Sequence, residues 1–222
     1  KFDMKDLGEA SYVLGIEIHR DRNSGVLGLS QKAYLEKIIS KYNMHKCSAT
    51  PAPIVKGDSF GKFQCPKNQY EIDKMKGIPY ASAVGSLQYA QVCTRPDLAF
   101  ITGVLGRYQE NPGHEHWNMV KKALRYVQGA KDLMLTYRRS DSLEIRGYSD
   151  ADFAGDKDDR KSTSGYVFTL AGGAISWKIS KQSLVASSTM YAEFIACYEA
   201  TGQAVWLKKF IPDLKVVDCI DK

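Results

Sequence analysis

Aromatic and β-branched residues crowd Ser-Tyr-Val-Leu-Gly-Ile-Glu-Ile at 11–18, which predicts a strand. Asp21-Arg22-Asn23-Ser24-Gly25 is a turn cluster, and Val26 to Ser30 returns as a second strand, giving a hairpin. The spacing of Tyr34, Leu35, Ile38 and Ile39 then predicts a helix over Gln31 to Tyr42, with Ser30 as its N-cap. Residues 47–78 break the pattern with prolines, glycines and polar residues, and read as an extended surface connection with no function beyond linking. Helices are predicted over Tyr80 to Val92, Asp97 to Tyr108 and His116 to Gln128, with Pro96 in a first turn and Gly129 as a stop. Beyond Gly129 the period shortens to that of strands: Leu133 to Tyr137, Leu143 to Tyr148, Ser164 to Leu170 and Ala174 to Trp177. The last two form a hairpin around Ala171-Gly172-Gly173. A long helix from about Ser188 to Lys209 closes the series, stopped before Pro212. Strands in succession followed by a helix predict an antiparallel meander with a helix packed on it, an α+β layout.

Composition narrows the class. The 222 residues are 44% hydrophobic and 25% charged, a globular balance with room for one large or two small domains. A net charge of +6 suits a nucleic-acid partner without establishing one. The 5 cysteines share no short spacing, which fits a reducing compartment better than a disulfide framework or a zinc site. His114 and His116 read as polar loop residues ahead of a helix rather than metal ligands. No apolar run reaches the roughly 18–20 residues that cross a bilayer, and no membrane partner is expected. The start at Lys1-Phe2-Asp3-Met4 and the stop at Asp221-Lys222 read as cuts inside a longer protein.

Candidate chemistry centres on the strand entering Asp150. Two-metal phosphodiester cleavage needs carboxylates converging on divalent cations, which activate water and stabilise the leaving oxygen. Magnesium takes few protein oxygens, the rest coming from water and phosphate. Asp150 at a strand end and Glu193 in the first turns of the later helix meet that requirement. Asp150, Asp152, Asp156, Asp158 and Asp159 would equally make a solvated acidic turn.

The motifs around the pair decide between these readings. Gly147-Tyr148-Ser149-Asp150-Ala151-Asp152-Phe153-Ala154-Gly155-Asp156 is followed by Arg160-Lys161-Ser162-Thr163-Ser164-Gly165-Tyr166, Gly172-Gly173-Ala174-Ile175-Ser176-Trp177-Lys178 and Lys181-Gln182. This succession resembles the RNase H domain of copia-type (LTR) retrotransposon Pol polyproteins. Lys5-Asp6-Leu7-Gly8-Glu9-Ala10 and Leu14-Gly15-Ile16-Glu17-Ile18 resemble the late palm of the reverse transcriptase, whose hairpin holds the primer end. Pro79-Tyr80, Val84 to Ala90 and Thr94-Arg95-Pro96-Asp97 resemble its thumb, and Asn111-Pro112-Gly113 with His116-Trp117 the connection.

The resemblance implies an α+β chain in four parts. A primer-grip-like hairpin and helix span 1–46, an extended connection 47–78, a helical thumb-like subdomain 79–130, and a partial RNase H-like fold 131–222. It implies a parent that copies RNA into DNA and hydrolyses the RNA of RNA–DNA hybrids, in the cytoplasm within a virus-like particle, with a nuclear stage possible. Asp150 and Glu193 match two of its catalytic, magnesium-binding carboxylates, with Asp152 as fallback for Asp150. Asp156 is expected to serve the turn, and Ser162, Thr163 and Ser164 to hydrogen-bond locally. A third metal-binding Asp is expected past Lys222, so Asp218 and Asp221 are not promoted to that role. The polymerase aspartates are expected before Lys1. Met190-Tyr191 stand where the family has Thr-Glu, which suggests a decayed or host-adopted binding module as the alternative. Arg95, Arg107, Lys121, Lys122 and Arg125 are candidate contacts to a template–primer or hybrid backbone, or else solvated helix charges. An RNase H sheet without its later strand would leave an edge open to self-association.

Overall fold

The computed structural model describes residue 5 and residues 8–55, 57–140 and 143–214. Lys1 to Met4, Asp6, Leu7, Asp218, Asp221 and Lys222, named above, lie outside the described residues.

The first predicted strand divides in two. Leu14 and Gly15 adopt positive φ angles of 50° and 75°, a tight turn between β1 (Tyr12–Val13) and β2 (Ile16–Asp21). β2 pairs antiparallel with β3 (Val26–Ser30), as the turn cluster predicts. Helix α1 (Lys32–Lys41) follows; the Ser30 hydroxyl accepts the Lys32 N–H at 3.2 Å, although Gln31 occupies the N-cap position. The connection over 47–78 is not featureless. It contains a 3₁₀ turn at Lys62–Gln64 and a short helix α2 (Gln69–Met75), which the Asn68 side chain caps by accepting the Glu71 N–H at 2.9 Å. Helix α2 buries no residue, so it carries no apolar period by which the sequence could reveal it.

Helices α3 (Tyr80–Cys93), α4 (Ala99–Gly106) and α5 (His114–Gly129) lie where the pattern puts them, with a 3₁₀ turn at Pro96–Leu98 leading into α4. Their apolar faces converge with Leu35, Ile38 and Ile39 of α1 into one core with Leu87, Leu98, Ile101, Leu105, Val120 and Leu124, all fully buried except Ile38 and Ile39, which are nearly so. Helix α1 thus packs with the helical subdomain. Alanines at 83, 90 and 123 sit inside this core, where their small side chains let the helix backbones approach closely.

His116 is corrected from a polar loop residue to a fully buried one in the first turn of α5. Its Nδ1 accepts the Gly113 N–H at 3.0 Å, closing the helix start, and its ring stacks on Tyr108 at 4.1 Å. Burial holds its pKa below the ordinary histidine value.

Two sheets frame the helices, ordered β1-β2-β3-β4 and β5-β6-β7 among the described residues. β4 (Leu135–Arg138) was expected with the C-terminal strands, but it pairs with β3 of the N-terminal hairpin. β5 (Arg146–Ala151), β6 (Thr163–Leu170) and β7 (Gly173–Lys181) form the antiparallel meander. Ala171 and Gly172 turn between β6 and β7 with φ of 52° and 78°, a pair of left-handed residues that suits a two-residue hairpin. Helix α6 (Thr189–Asp213) packs on β5 and β6 through Ala200, Leu207 and Ile211 against Phe168. It runs through Pro212 rather than stopping before it, with buried Ile211 holding its final turn to the sheet.

The two cores are pinned by charge. Asp156, in the β5–β6 loop, is buried and meets Arg107, the C-cap residue of α4, at 2.9 Å and Lys181 of β7 at 3.0 Å. Burial works to raise its pKa, but the Asp158 N–H, Lys181 and Arg107 together hold it below the usual carboxylate range. Asp158 accepts from the Lys62 N–H at 2.7 Å and the Tyr108 hydroxyl at 3.2 Å, tying the same loop to the 47–78 connection.

Removing the Asp156 carboxylate leaves partly buried Arg107 without its counter-ion, while Lys181 keeps Asp159, so Asp156→Ala is expected to cost about 3 kcal/mol in urea unfolding; a loss under about 1 kcal/mol, the scale of a surface ion pair, would refute the pin. For His116, a folded pKa below the unfolded value means the unfolded chain binds the proton first. Stability should therefore fall as pH drops below roughly 6.5, and His116→Gln should flatten that limb of the stability profile.

Candidate active site

β5 presents its residues alternately to two sides. Gly147 pairs with Phe168, whose ring fills the space a Cβ at 147 would take, and Phe168 packs against α6. Gly147, Ser149 and Ala151 therefore face α6, and Tyr148 and Asp150 face the other side. There Asp150 lines a cavity of about 430 Å³ with Phe100 of α4, Asp152, Val167, Trp177 and Ile179. The wall is mostly apolar, and Trp177 fixes it by donating its indole N–H to the Gln91 carbonyl at 3.2 Å.

Glu193 is exposed in the first turns of α6, next to buried Ala192. Ser188 caps this helix by accepting the Tyr191 N–H at 3.1 Å. Gln182 places its start: the buried Nε2 donates to the Ala192 carbonyl at 2.9 Å and to Ser164 Oγ at 2.8 Å. Ser164 is the register partner of Ala151. The clamp thus joins the chain neighbours of the two acids: Asp150 and Glu193 belong to the same end of the sheet, Asp150 on the face turned away from α6 and Glu193 on α6 itself. Neither carboxylate makes an ion pair or a hydrogen bond among the described residues. Sequence reasoning passed over Gln182 as part of a motif string, because an amide carries no chemical signature until its burial and partners are known.

Asp152 has a different role. Its carboxylate accepts the Thr163 N–H, and its own N–H donates to the Thr163 carbonyl at 3.1 Å, closing the mouth of the β5–β6 loop. Burial raises its pKa above the ordinary value despite the Thr163 N–H, which works to lower it. Asp156 serves the turn, as expected, and so does Ser162, whose hydroxyl accepts the Ala154 N–H at 3.0 Å. Among the described residues no group of three or more His, Cys, Asp or Glu side chains is arranged to hold a metal ion.

The basic candidates are largely engaged within the protein. Arg95, a candidate backbone contact or else a solvated helix charge, is buried, which rules out the solvated alternative. It grips Asp97 through two hydrogen bonds of 3.0 and 2.7 Å and caps the end of α5 by donating to the Ala130 carbonyl at 3.0 Å. Arg107 is held by Asp156 and Thr163, Lys122 by Asp58 at 2.5 Å, and Arg125 by Ser48 at 2.8 Å. Lys121, half-buried, has no such partner among the described residues. No helix among the described residues is long and apolar enough to cross a membrane.

A carboxylate whose folded pKa is raised destabilises the fold as pH climbs from its unfolded value through the folded one. Asp152→Asn keeps the acceptor for Thr163 and removes that charge, so its unfolding free energy at pH 7 should equal or exceed the parent's; a clear loss would show that the charge itself is needed.

A family profile described as reverse transcriptase (RNA-dependent DNA polymerase) matches residues 1–56. The retrovirus-related Pol polyprotein from transposon TNT 1-94 of Nicotiana tabacum is 47% identical over 213 residues, 96% of this chain and 16% of that protein. The corresponding polyprotein from transposon RE2 of Arabidopsis thaliana is 32% identical over 216 residues, 97% of this chain and 14% of the relative. Secreted RxLR effector protein 161 of Plasmopara viticola is 48% identical over 133 residues, 60% of this chain and 94% of its own length. No solved structure matches the chain. The chain therefore spans a small part of the polyproteins that it matches along nearly all of its own length, and it belongs to the retrovirus-related Pol polyproteins of copia-type transposons.

Proposed function

We propose that this chain is the thumb, connection and partial RNase H segment of a reverse transcriptase polyprotein, contributing Asp150 and Glu193 to hydrolysis of RNA in RNA–DNA hybrids. The observation that carries this reading is the Gln182 clamp, which ties the start of α6 to the Ala151 end of β5. Two carboxylates with no competing cation fit a hard divalent ion, which takes few protein ligands. Asp150 and Glu193 would hold magnesium, and the bound ion would supply an activated water and a stabilised leaving oxygen. The protein's own share is placement: the pleat of β5 sets Asp150, and the clamp sets Glu193. Two carboxylates are a partial set, so the chain alone is read as inactive, with full activity belonging to the longer polyprotein.

A second reading is a binding module without catalysis. One observation favours it: a relative matched over 94% of its own length is named a secreted effector rather than an enzyme. With most candidate arginines and lysines paired internally, the basic surface left for a hybrid backbone is smaller than the net charge of +6 suggests.

The experiment is cleavage of a labelled RNA–DNA hybrid by the longer polyprotein and by this chain, each with magnesium. Asp150→Asn or Glu193→Gln in the polyprotein should lower RNA hydrolysis by about 10³-fold or more, the scale of losing charge stabilisation at the reacting centre. The chain alone should not cleave. Undiminished hydrolysis by both variants would sink the site, and cleavage by the chain alone would overturn the partial-site reading. Salt-sensitive hybrid binding by the chain with no effect of either variant on the polyprotein would favour the binding module.

A further inference from the structure

The basic residues that the motifs nominate are mostly engaged inside the protein, but four other arginines gather at one end of the first sheet. A groove of about 440 Å³ runs there between the end of β2, its turn and β4, lined by Arg20, Arg22, Arg138 and Arg139. All four are exposed. They come from opposite halves of the chain, so no basic run in the sequence announces them. Strand pairing places Arg20, Leu27 and Tyr137 on one face, because Leu27 is the register partner of both others. Arg139 continues that face. Its stem lies across Gly25, where an added Cβ would meet the Arg139 Cβ at 2.7 Å. Gly25 also has a φ of 62°, so both the turn and the arginine that crosses it need a glycine there. Arg138 stands at the same end of β4, on the opposite face.

The groove already holds an oxyanion of its own. Arg20 and Arg22 share Glu9, each taking a different oxygen of the carboxylate, Arg20 at 3.5 Å. Two arginine forks on the two oxygens of one anion is the arrangement that the free oxygens of a phosphodiester accept. The pairs lie at the surface, where they contribute little and exchange readily. Asp21, the acid in the groove wall, is turned into its own loop, where it accepts the Asn23 and Ser24 N–H groups at 3.0 and 3.2 Å. The side chains of Arg138 and Arg139 make no ion pair or hydrogen bond among the described residues. Half-buried Leu27 and Tyr137 form an apolar floor between the charges. Every cation lining the groove is an arginine. Several such charges along one groove fit a polymer with a phosphate at each repeat better than a single small ion.

We propose that this groove binds the sugar–phosphate backbone of a nucleic acid, with Arg22, Arg138 and Arg139 on phosphate oxygens and Glu9 as the internal anion that a phosphate displaces. The choice of a nucleic acid rests on the reverse transcriptase and RNase H reading, but the groove uses neither Asp150 nor Glu193. The test is binding of a labelled RNA–DNA hybrid by this chain, followed by fluorescence anisotropy over a salt series. Arg22→Gln, Arg138→Gln and Arg139→Gln should each weaken binding and lower the slope of log Kd against log salt by about 1. The three combined should cost about tenfold or more in affinity. Arg139→Lys keeps the charge and should keep the slope. Glu9→Gln should tighten binding by about two- to fivefold, the scale of an exposed ion pair, a gain that a merely structural Glu9 would not give. Unchanged urea midpoints check that these exposed substitutions leave the fold intact. Absence of hybrid binding by the parent chain overturns the proposal, as does a loss that follows Lys121→Gln or Arg125→Gln while the three groove changes have no effect. Phosphatidylserine vesicles bound as tightly as the hybrid at equal salt overturn the choice of a nucleic acid. Hydrolysis by the polyprotein is scored separately. Cleavage lost in Asp150→Asn, with hybrid binding indifferent to the arginine changes, overturns the groove alone; arginine-dependent binding beside undiminished cleavage in the Asp150 and Glu193 variants upholds the groove and overturns the nuclease site alone.

Discussion

A buried carboxylate organises the meeting of the two halves. Asp156 is sealed from solvent between Arg107 at the end of α4 and Lys181 of β7, and its second oxygen accepts the Asp158 N–H at 2.8 Å. An ion pair in this position is weak evidence of net stability, because desolvation offsets much of the attraction. Its effect is on geometry. With one charge satisfied from both sides, the β5–β6 loop has a single arrangement that leaves no cation stranded. That arrangement fixes where β5 ends, and the pleat of β5 then sets which way Asp150 faces. The strain is visible in the same loop, where Ala154 and Arg160 sit at φ of 53° and 59°, a region costly for residues other than glycine.

The helical half has a comparable device. Arg95 crosses from the end of α3 to the end of α5, gripping Asp97 and the Ala130 carbonyl, while the Tyr126 hydroxyl donates to the same Asp97 at 2.8 Å. Thr94 beside it donates to the buried Gln31 Oε1 at 2.7 Å, bringing in the start of α1. The Thr-Arg-Pro-Asp string is thus a joint between three helices. Its arginine is buried and already engaged, and exposing it would leave Asp97 and a helix end without their donor.

These two joints explain why the basic composition and the acidic turn both mislead when read as chemistry. Charges were counted in the sequence as potential ligands, yet Arg95, Arg107, Lys122, Asp156 and Asp158 are consumed in joining elements far apart in the chain. Asp150 and Glu193 stand out by contrast: they are acids at one end of a sheet with no partner among the described residues. Gln182, an uncharged residue, does more to bring them to that end than any charge does.

The helices α1, α3, α5 and α6 and the β2–β3 and β6–β7 hairpins were legible in the sequence, because apolar period and turn chemistry are local properties. So was the family, since long motif strings survive without reference to any fold. The same locality set the limits. α2 has no buried face to print a period, β4 has a strand's composition but nothing that names β3 as its neighbour, and His116 looks polar until Tyr108 and the start of α5 enclose it. Pairing, burial and charge partnership join residues tens of positions apart. Those were decided only in the tertiary structure, where the loss of water from Asp156, Arg95 and Gln182 commits each to a fixed set of partners.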